Sequence, residues 1–194
     1  MAGNDNKPYI AGAARPFGQA VDGGAYGPID LLEQEHAQIL NACAAFERVA
    51  DGLPDEADFD LARSAADMLL HRLPGHYDDE TAVLFPCLSA RVGTGHLITS
   101  VLEELSKQRQ QDADMLNEIT DVLHSEVKGK RARNPAMLGY MLRNYFNSER
   151  RQIAWERKIV LPAARMLLSE NDLQRLGERL RLSGRFAQSA GAKL

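Results

Sequence analysis

From Pro28 onward the apolar residues of this chain return at steps of three and four, the interval at which side chains share one face of an α-helix. Leu32, His36, Ile39, Cys43, Phe46 and Ala50 form the first such line, which ends at Asp51-Gly52 with Pro54 beyond. A second line runs through Ala62, Ala66, Leu69, Leu73, His76, Glu80, Val83 and Cys87. Pro74-Gly75 inside it predicts a helix in two pieces, because proline removes a backbone hydrogen bond. After Gly93-Thr94-Gly95, the residues Val101, Leu105, Gln108, Asp112, Met115, Ile119 and Val122 make a third line, which ends before the basic stretch Lys128 to Arg133. The fourth opens at Pro135, a favoured first-turn residue, and continues Leu138, Leu142, Tyr145, Glu149, Gln152, Glu156, Ile159 and Ala163. Pro162 predicts a kink, and Ser169 is suited to cap a shorter last helix, Glu170 to Leu182. No strand-type alternation of useful length appears.

Four long helices with short or medium connections predict an all-α, up-down-up-down four-helix bundle with a short extra C-terminal helix. Residues 1–28 are too rich in glycine and proline for a helix and read as an irregular N-terminal tail; 29–182 read as the bundle with its extension, and 183–194 as a flexible C-terminal tail. A length of 194 residues suits one domain that buries its own core. The net charge of -4 argues against a nucleic-acid or acidic-membrane partner. With no long apolar run or secretory leader, and only Cys43 and Cys87, far apart, a reduced cytoplasmic protein is expected. Neither a Ser-His-Asp order nor a Gly-rich phosphate loop nor zinc-finger spacing is present, so hydrolase and nucleotide-binding chemistry has no support.

Each apolar line is interrupted near its middle: by His36, by His76 with Glu80, by Gln108 to Asp112, and by Gln152 with Glu156. Interruptions at matching depth in a bundle should meet. Buried carboxylates are costly unless cations, protons or a metal accompany them. His76 and Glu80, four apart, stack on one face, as do Gln152 and Glu156, so one ion can see both members of a pair. Imidazole with carboxylate suits iron, and less exclusively zinc or manganese.

Three segments carry a resemblance to a known family: Glu35-His36; Leu73-Pro74-Gly75-His76-Tyr77-Asp78-Asp79-Glu80 with Leu84-Phe85-Pro86; and Arg150 to Glu156 with Val160-Leu161-Pro162-Ala163. Over roughly residues 28 to 168 the chain resembles the hemerythrin-like, or HHE cation-binding, domain, a four-helix bundle with a non-haem di-iron centre. The resemblance implies His36, His76, Glu80 and Glu156 as metal ligands, the two glutamates bridging. It also implies two losses. Gln152 replaces the helix-four histidine, and either Arg109 or Gln108 stands where the helix-three histidine belongs. In the family, the missing histidines serve one iron and the retained pair the other, so one half-site survives.

Two functions are compatible with these residues. The first is a non-enzymatic, hemerythrin-like protein with a reduced site of at most one ion, sensing or buffering iron, oxygen or redox state, with dioxygen or another diatomic as small ligand. The second is a metal-free bundle with an interaction or regulatory surface, in which Arg109 supplies the lost positive charge. A mononuclear oxidase or peroxidase is a weaker third. A buried Arg109 touching both glutamates favours the metal-free reading; a gap among His36, His76, Glu80 and Glu156 favours metal. Asp112 is the first substitute ligand to suspect if two ions bind. The bland alternative makes Glu80 and Glu156 salt-bridge partners of Arg109 or Lys107. Tyr145, Trp155, Met115 and Met141 read as packing residues, and His71, His96 and His124 carry no assigned role.

Overall fold

In a computed structural model that describes residues 27–183 apart from 94, 126, 129 and 130, the chain forms the all-α bundle that its periodicity predicts. α1 spans Pro28–Asp51, α2 Phe59–Asp79, α3 Phe85–Val92, α4 Leu97–Ser125, α5 Pro135–Trp155, α6 Leu161–Leu167 and α7 Glu170–Leu182. α1 packs against α2 and α5, and α4 packs against the same two, which closes a four-membered ring; α7 lies across α1 and α2. Of the tails expected at 1–28 and 183–194, residues 1–26 and 184–194 lie outside the described residues, and α1 already begins at Pro28.

Local chemistry sets the helix starts. Pro28 opens α1 in its first turn, where its missing N–H loses nothing, and the Asp30 carboxylate accepts from the Gly27 N–H at 3.1 Å. Asp58 caps α2 by accepting from Leu61 N–H, Asn134 caps α5 by accepting from Met137 N–H, and Ser169 with Asp172 forms a reciprocal box at α7.

Three expectations need correction. α2 runs through Pro74 without a break; Pro74 is exposed, where water can take the place of the one bond it removes. The interruptions fall instead at π turns, Glu80–Leu84 between α2 and α3 and Glu156–Val160 between α5 and α6, so the second comes just before Pro162. Each turn inserts one residue and rotates the segment after it by about 100°. The centre of the core face therefore slips by one: Leu84, Leu88, Val160 and Ala164 are fully enclosed, the predicted Cys87 and Ala163 are buried less completely, and the predicted Val83 and Ile159 only flank the core. Finally, Val127–Lys128 pairs antiparallel with Arg131–Ala132 in the α4–α5 connection, a hairpin too short to leave an alternation in the sequence.

Two apolar clusters fill the bundle. One, at the end holding the α1–α2 turn, includes Ile39, Phe46, Leu69, Leu73, Leu116, Ile119, Leu142 and Tyr145; the other includes Leu32, Leu84, Leu88, Leu102, Leu105, Val160 and Leu176. His36 falls between Leu32 and Ile39, Glu80 between Leu73 and Leu84, and Arg109 between Leu105 and Leu116. A polar layer is thus sealed on both sides by hydrocarbon.

At the α1–α2 turn the chain passes too close to itself for a side chain: a Cβ on Gly52 would stand 2.8 Å from the Glu56 carbonyl oxygen and 3.1 Å from the Ala57 Cα. Gly52→Ala should therefore cost roughly 1–3 kcal/mol, the overpacking scale, measured as a lowered urea midpoint. An unchanged midpoint would show that the turn relaxes freely.

Candidate metal centre

Both π turns begin on a glutamate of the polar layer. Phe85 N–H reaches back five residues to the Glu80 carbonyl, and Leu161 N–H to that of Glu156. Proline stands at the sixth position in each case, Pro86 and Pro162, in the first turn of the next helix, where its missing donor is tolerated. The repeated Glu-x5-Pro is legible in the sequence, though nothing in the apolar spacing draws attention to it. Such single-turn insertions often accompany functional sites.

His36 from α1, His76 from α2, Glu80 and Glu156 are all buried, and one ligating atom from each lies within 4.8 Å of the others. Bonds of about 2.0–2.2 Å allow opposite ligands roughly 4.4 Å apart, so a small contraction would seat an ion. The atoms facing the common point are short of partners. Neither His36 Nε2, His76 Nε2 nor Glu80 Oε1 has a well-formed hydrogen bond, although His36 Nε2 is 2.7 Å from Glu156 Oε2 and His76 Nε2 is 3.5 Å from Glu80 Oε2. Converging lone pairs with poor hydrogen-bond alignment fit a cation better than they fit one another.

Glu35, one residue from His36, reaches the back of the other histidine: its Oε2 is 2.8 Å from His76 Nδ1. With the proton on Nδ1, the carboxylate fixes the ring and turns the Nε2 lone pair toward the centre, the usual role of a second partner behind a metal-binding histidine. The sequence gives Glu35 no periodic signal, because it lies off the α1 core line. Burial opposes charge on His76, yet Glu80, Glu35 and Glu156 outweigh it and raise the pKa. For Glu156 burial again opposes charge, but His36 and Arg109 prevail and hold the carboxyl below the usual range.

Of the two candidates on α4, Arg109 enters the layer and Gln108 does not; Gln108 Nε2 donates to Glu104 Oε1 at 3.0 Å. Arg109 Nη2 donates to Glu80 Oε2 and, at 2.6 Å, to Glu156 Oε1. Its guanidinium carbon lies over the rings of Tyr77 and Phe85, with centroids 4.5 and 4.7 Å away. Charge pairing and two aromatic faces offset the cost of burying it. Asp112 and Gln152 face each other in a separate pair, Gln152 Nε2 donating to Asp112 Oδ2. Lys107, His71, His96 and His124 are exposed, whereas Tyr145 packs edge-on against Phe46 in the core.

A further buried carboxylate, Glu149, stands on the α5 line between Tyr145 and Gln152, a polar residue at a core position whose chemistry the spacing does not reveal. Tyr77 donates its hydroxyl proton to Glu149, with oxygens at 2.8 and 3.0 Å. Burial, aided by Asp112 and Glu156, pushes its carboxyl up to about 7 against the hydrogen bond from Tyr77. Burial, then Glu149, drives the Cys43 thiol up to about 12, so it remains an inert apolar group.

The fold and this centre define a class, a helical bundle with a histidine and carboxylate site suited to a cation in its polar midsection. Residues 27–164 match the hemerythrin HHE cation-binding domain, and the chain belongs to that family. No curated protein matches the chain.

Two predictions test the electrostatics. Arg109→Met strands two buried carboxylates and should destabilise the metal-free protein by roughly 3–5 kcal/mol, much of it recovered when Glu80→Gln and Glu156→Gln are added. Calorimetric or denaturant melts decide, and a loss below about 0.5 kcal/mol, the surface scale, would mean that another group neutralises the glutamates. For Glu149, a folded pKa above the unfolded 4.5 means that the native state prefers the neutral acid. Stability should therefore fall as pH rises from about 4.5 to 7, by on the order of 3 kcal/mol, and level off above. The groups facing it are Cys43, Tyr77, Asp112, Tyr145 and Glu156. Glu149→Gln should flatten that slope in urea melts across the range; an unchanged slope would assign it to other groups.

Proposed function

We infer that this hemerythrin-like, metal-binding protein holds at most one ion per chain, with iron the foremost candidate, between His36, His76, Glu80 and Glu156. The observation that carries the reading is the set of buried, inward-facing atoms without good partners, His36 Nε2, His76 Nε2 and Glu80 Oε1. Family membership supports the cation, and the donor set of two imidazoles and two carboxylates suits iron, with zinc and manganese as the alternatives. Iron there would supply one-electron chemistry. The protein's own residues orient the ligands through Glu35, neutralise the carboxylates through Arg109 and exclude water through the two apolar clusters.

Such a site is suited to sensing or buffering iron, oxygen or redox state, with dioxygen or another diatomic as the small ligand. Reversible oxygen carriage of the hemerythrin kind uses paired irons, and Arg109 and Gln152 stand where histidines would serve the second. Among the described residues no helix is long and apolar enough to cross a membrane, and we take the setting to be reduced and cytoplasmic. The buried Arg109 also supports the second reading, a metal-free interaction or regulatory protein, because its bonds to Glu80 and Glu156 already balance charge. Arg109 takes Glu156 Oε1 and Glu80 Oε2, the latter also 3.5 Å from His76 Nε2, while Glu80 Oε1 is left without a hydrogen bond 3.9 Å from His36 Nε2, which favours one ion beside the arginine over none.

Metal analysis of protein reconstituted with ferrous iron should find no more than one ion per chain, and His76→Ala should lose it. Arg109→His should raise uptake, since imidazole ligates where guanidinium cannot. Two irons per chain in the native protein would overturn the half-site. Unchanged retention in His76→Ala would move the site elsewhere, and no binding of any of the three metals would leave the metal-free reading standing.

A further inference from the structure

Tyr77 joins the candidate metal centre to a buried base. It comes directly after His76 in α2, and the two rings are 5.8 Å apart. Its ring face meets the Arg109 guanidinium, which in turn binds both layer glutamates, while its hydroxyl donates to Glu149 at 2.8 Å. A phenol loses an electron readily only if its proton leaves as well, and a cation against the ring makes the protonated radical less accessible still. The proton therefore needs an acceptor within hydrogen-bond reach, and Glu149 is that acceptor, enclosed and 1% exposed. A Tyr77 confined to packing would not require a carboxylate at its hydroxyl in a layer already carrying Glu80 and Glu156, where each added carboxylate is costly.

We propose that Tyr77 is a redox-active side chain that passes one electron to the iron-loaded centre and its phenolic proton to Glu149. The inference rests on the metal-binding reading above. With hydrogen peroxide as oxidant, the balance closes. Peroxide takes two electrons, one from the ferrous ion and one from Tyr77, together with two solvent protons, and leaves as two waters. The chain is left with a ferric ion, a neutral Tyr77 radical and a protonated Glu149. The O–H bond of Tyr77 breaks and an O–H bond on Glu149 forms. Tyr145 also approaches Glu149 closely enough to interact with its carboxyl, but of the two it is Tyr77 that makes the well-formed hydrogen bond, at 2.8 Å, which makes Tyr77 the better coupled to the base.

The test uses the full chain loaded with ferrous iron without oxygen, its metal content measured, then mixed with hydrogen peroxide at pH 8 and frozen for electron paramagnetic resonance. A free-radical signal is expected whose splitting changes when ring-deuterated tyrosine is incorporated. It should be absent from the metal-free protein and from iron-loaded Tyr77→Phe, and retained in Tyr145→Phe. Glu149→Gln, which keeps the size and a hydrogen-bond acceptor but is a far weaker base, should slow its appearance by about a hundredfold, within the range for a positioned general base. Metal content and circular dichroism of each variant establish that it is folded and loaded. Loaded wild-type protein without a tyrosyl signal, or a signal that survives Tyr77→Phe, overturns the proposal while leaving metal binding intact. Failure to load iron in the wild type is the separate failure of the metal reading.

Discussion

Two carboxylates held in a hydrocarbon interior are the constraint around which this bundle is organised. Glu80 and Glu156 lie between two apolar clusters, where unpaired charge is worth several kcal/mol against folding. Arg109 meets that demand on one side by giving a hydrogen to each. Its own burial is eased by the ring faces of Tyr77 and Phe85 against the guanidinium. His36 and His76 bring their Nε2 atoms to the same two carboxylates. The centre is therefore asymmetric, with a fixed guanidinium charge at one flank and two imidazoles at the other.

Backbone irregularity serves the same constraint. The π turns start at the two glutamates and end at Leu84 and Val160, both fully enclosed in the second apolar cluster. One inserted residue in each of these two helical arms changes the face that the next segment turns inward, so that the helix can supply a polar layer and then resume a hydrophobic seam. α7 reinforces the arrangement from outside. Arg179 and Ser183 hold Asp79, the residue before Glu80, and Arg91 holds Asp172 near the start of α7. These contacts are partly exposed, so they serve position more than stability.

The bundle is legible in the sequence because helical spacing survives in every line, and the layer is legible because ionisable residues on an apolar face are costly enough to stand out. His36, His76, Glu80 and Glu156 stand out in that way, and the structure brings them together with Arg109, which the spacing passes over in favour of Gln108 and the family resemblance leaves as one of two candidates. What spacing cannot express is a change of phase. A period of 3.6 fitted through Val83 and Ile159 has no means of registering an inserted residue, so it places the core face one position early beyond each glutamate. Glu35 escapes because it serves the layer from outside the core line. Asp112 and Gln152 are legible by depth alone, which puts them in the layer but cannot show that they bond to each other. Pro74 misleads for the opposite reason, since its rule assumes a lost hydrogen bond that water can replace on an exposed helix face.

The way the layer balances its charge also bears on what it can do. Filling the flank opposite the histidines with an arginine fixes a charge that cannot be exchanged or reduced, whereas a metal there can be both. On the one-ion reading proposed above, any redox chemistry is confined to that ion and to whatever side chains can give it electrons. Arg109 cannot serve as such a donor, and it raises the cost of oxidising the ring against it unless a proton leaves at the same time. The carboxylate of Glu149 at the hydroxyl of Tyr77 supplies the exit for that proton. Arg109 and Glu149, one on each side of the same tyrosine, thus link the charge state of the centre to a proton held several residues deeper in the bundle.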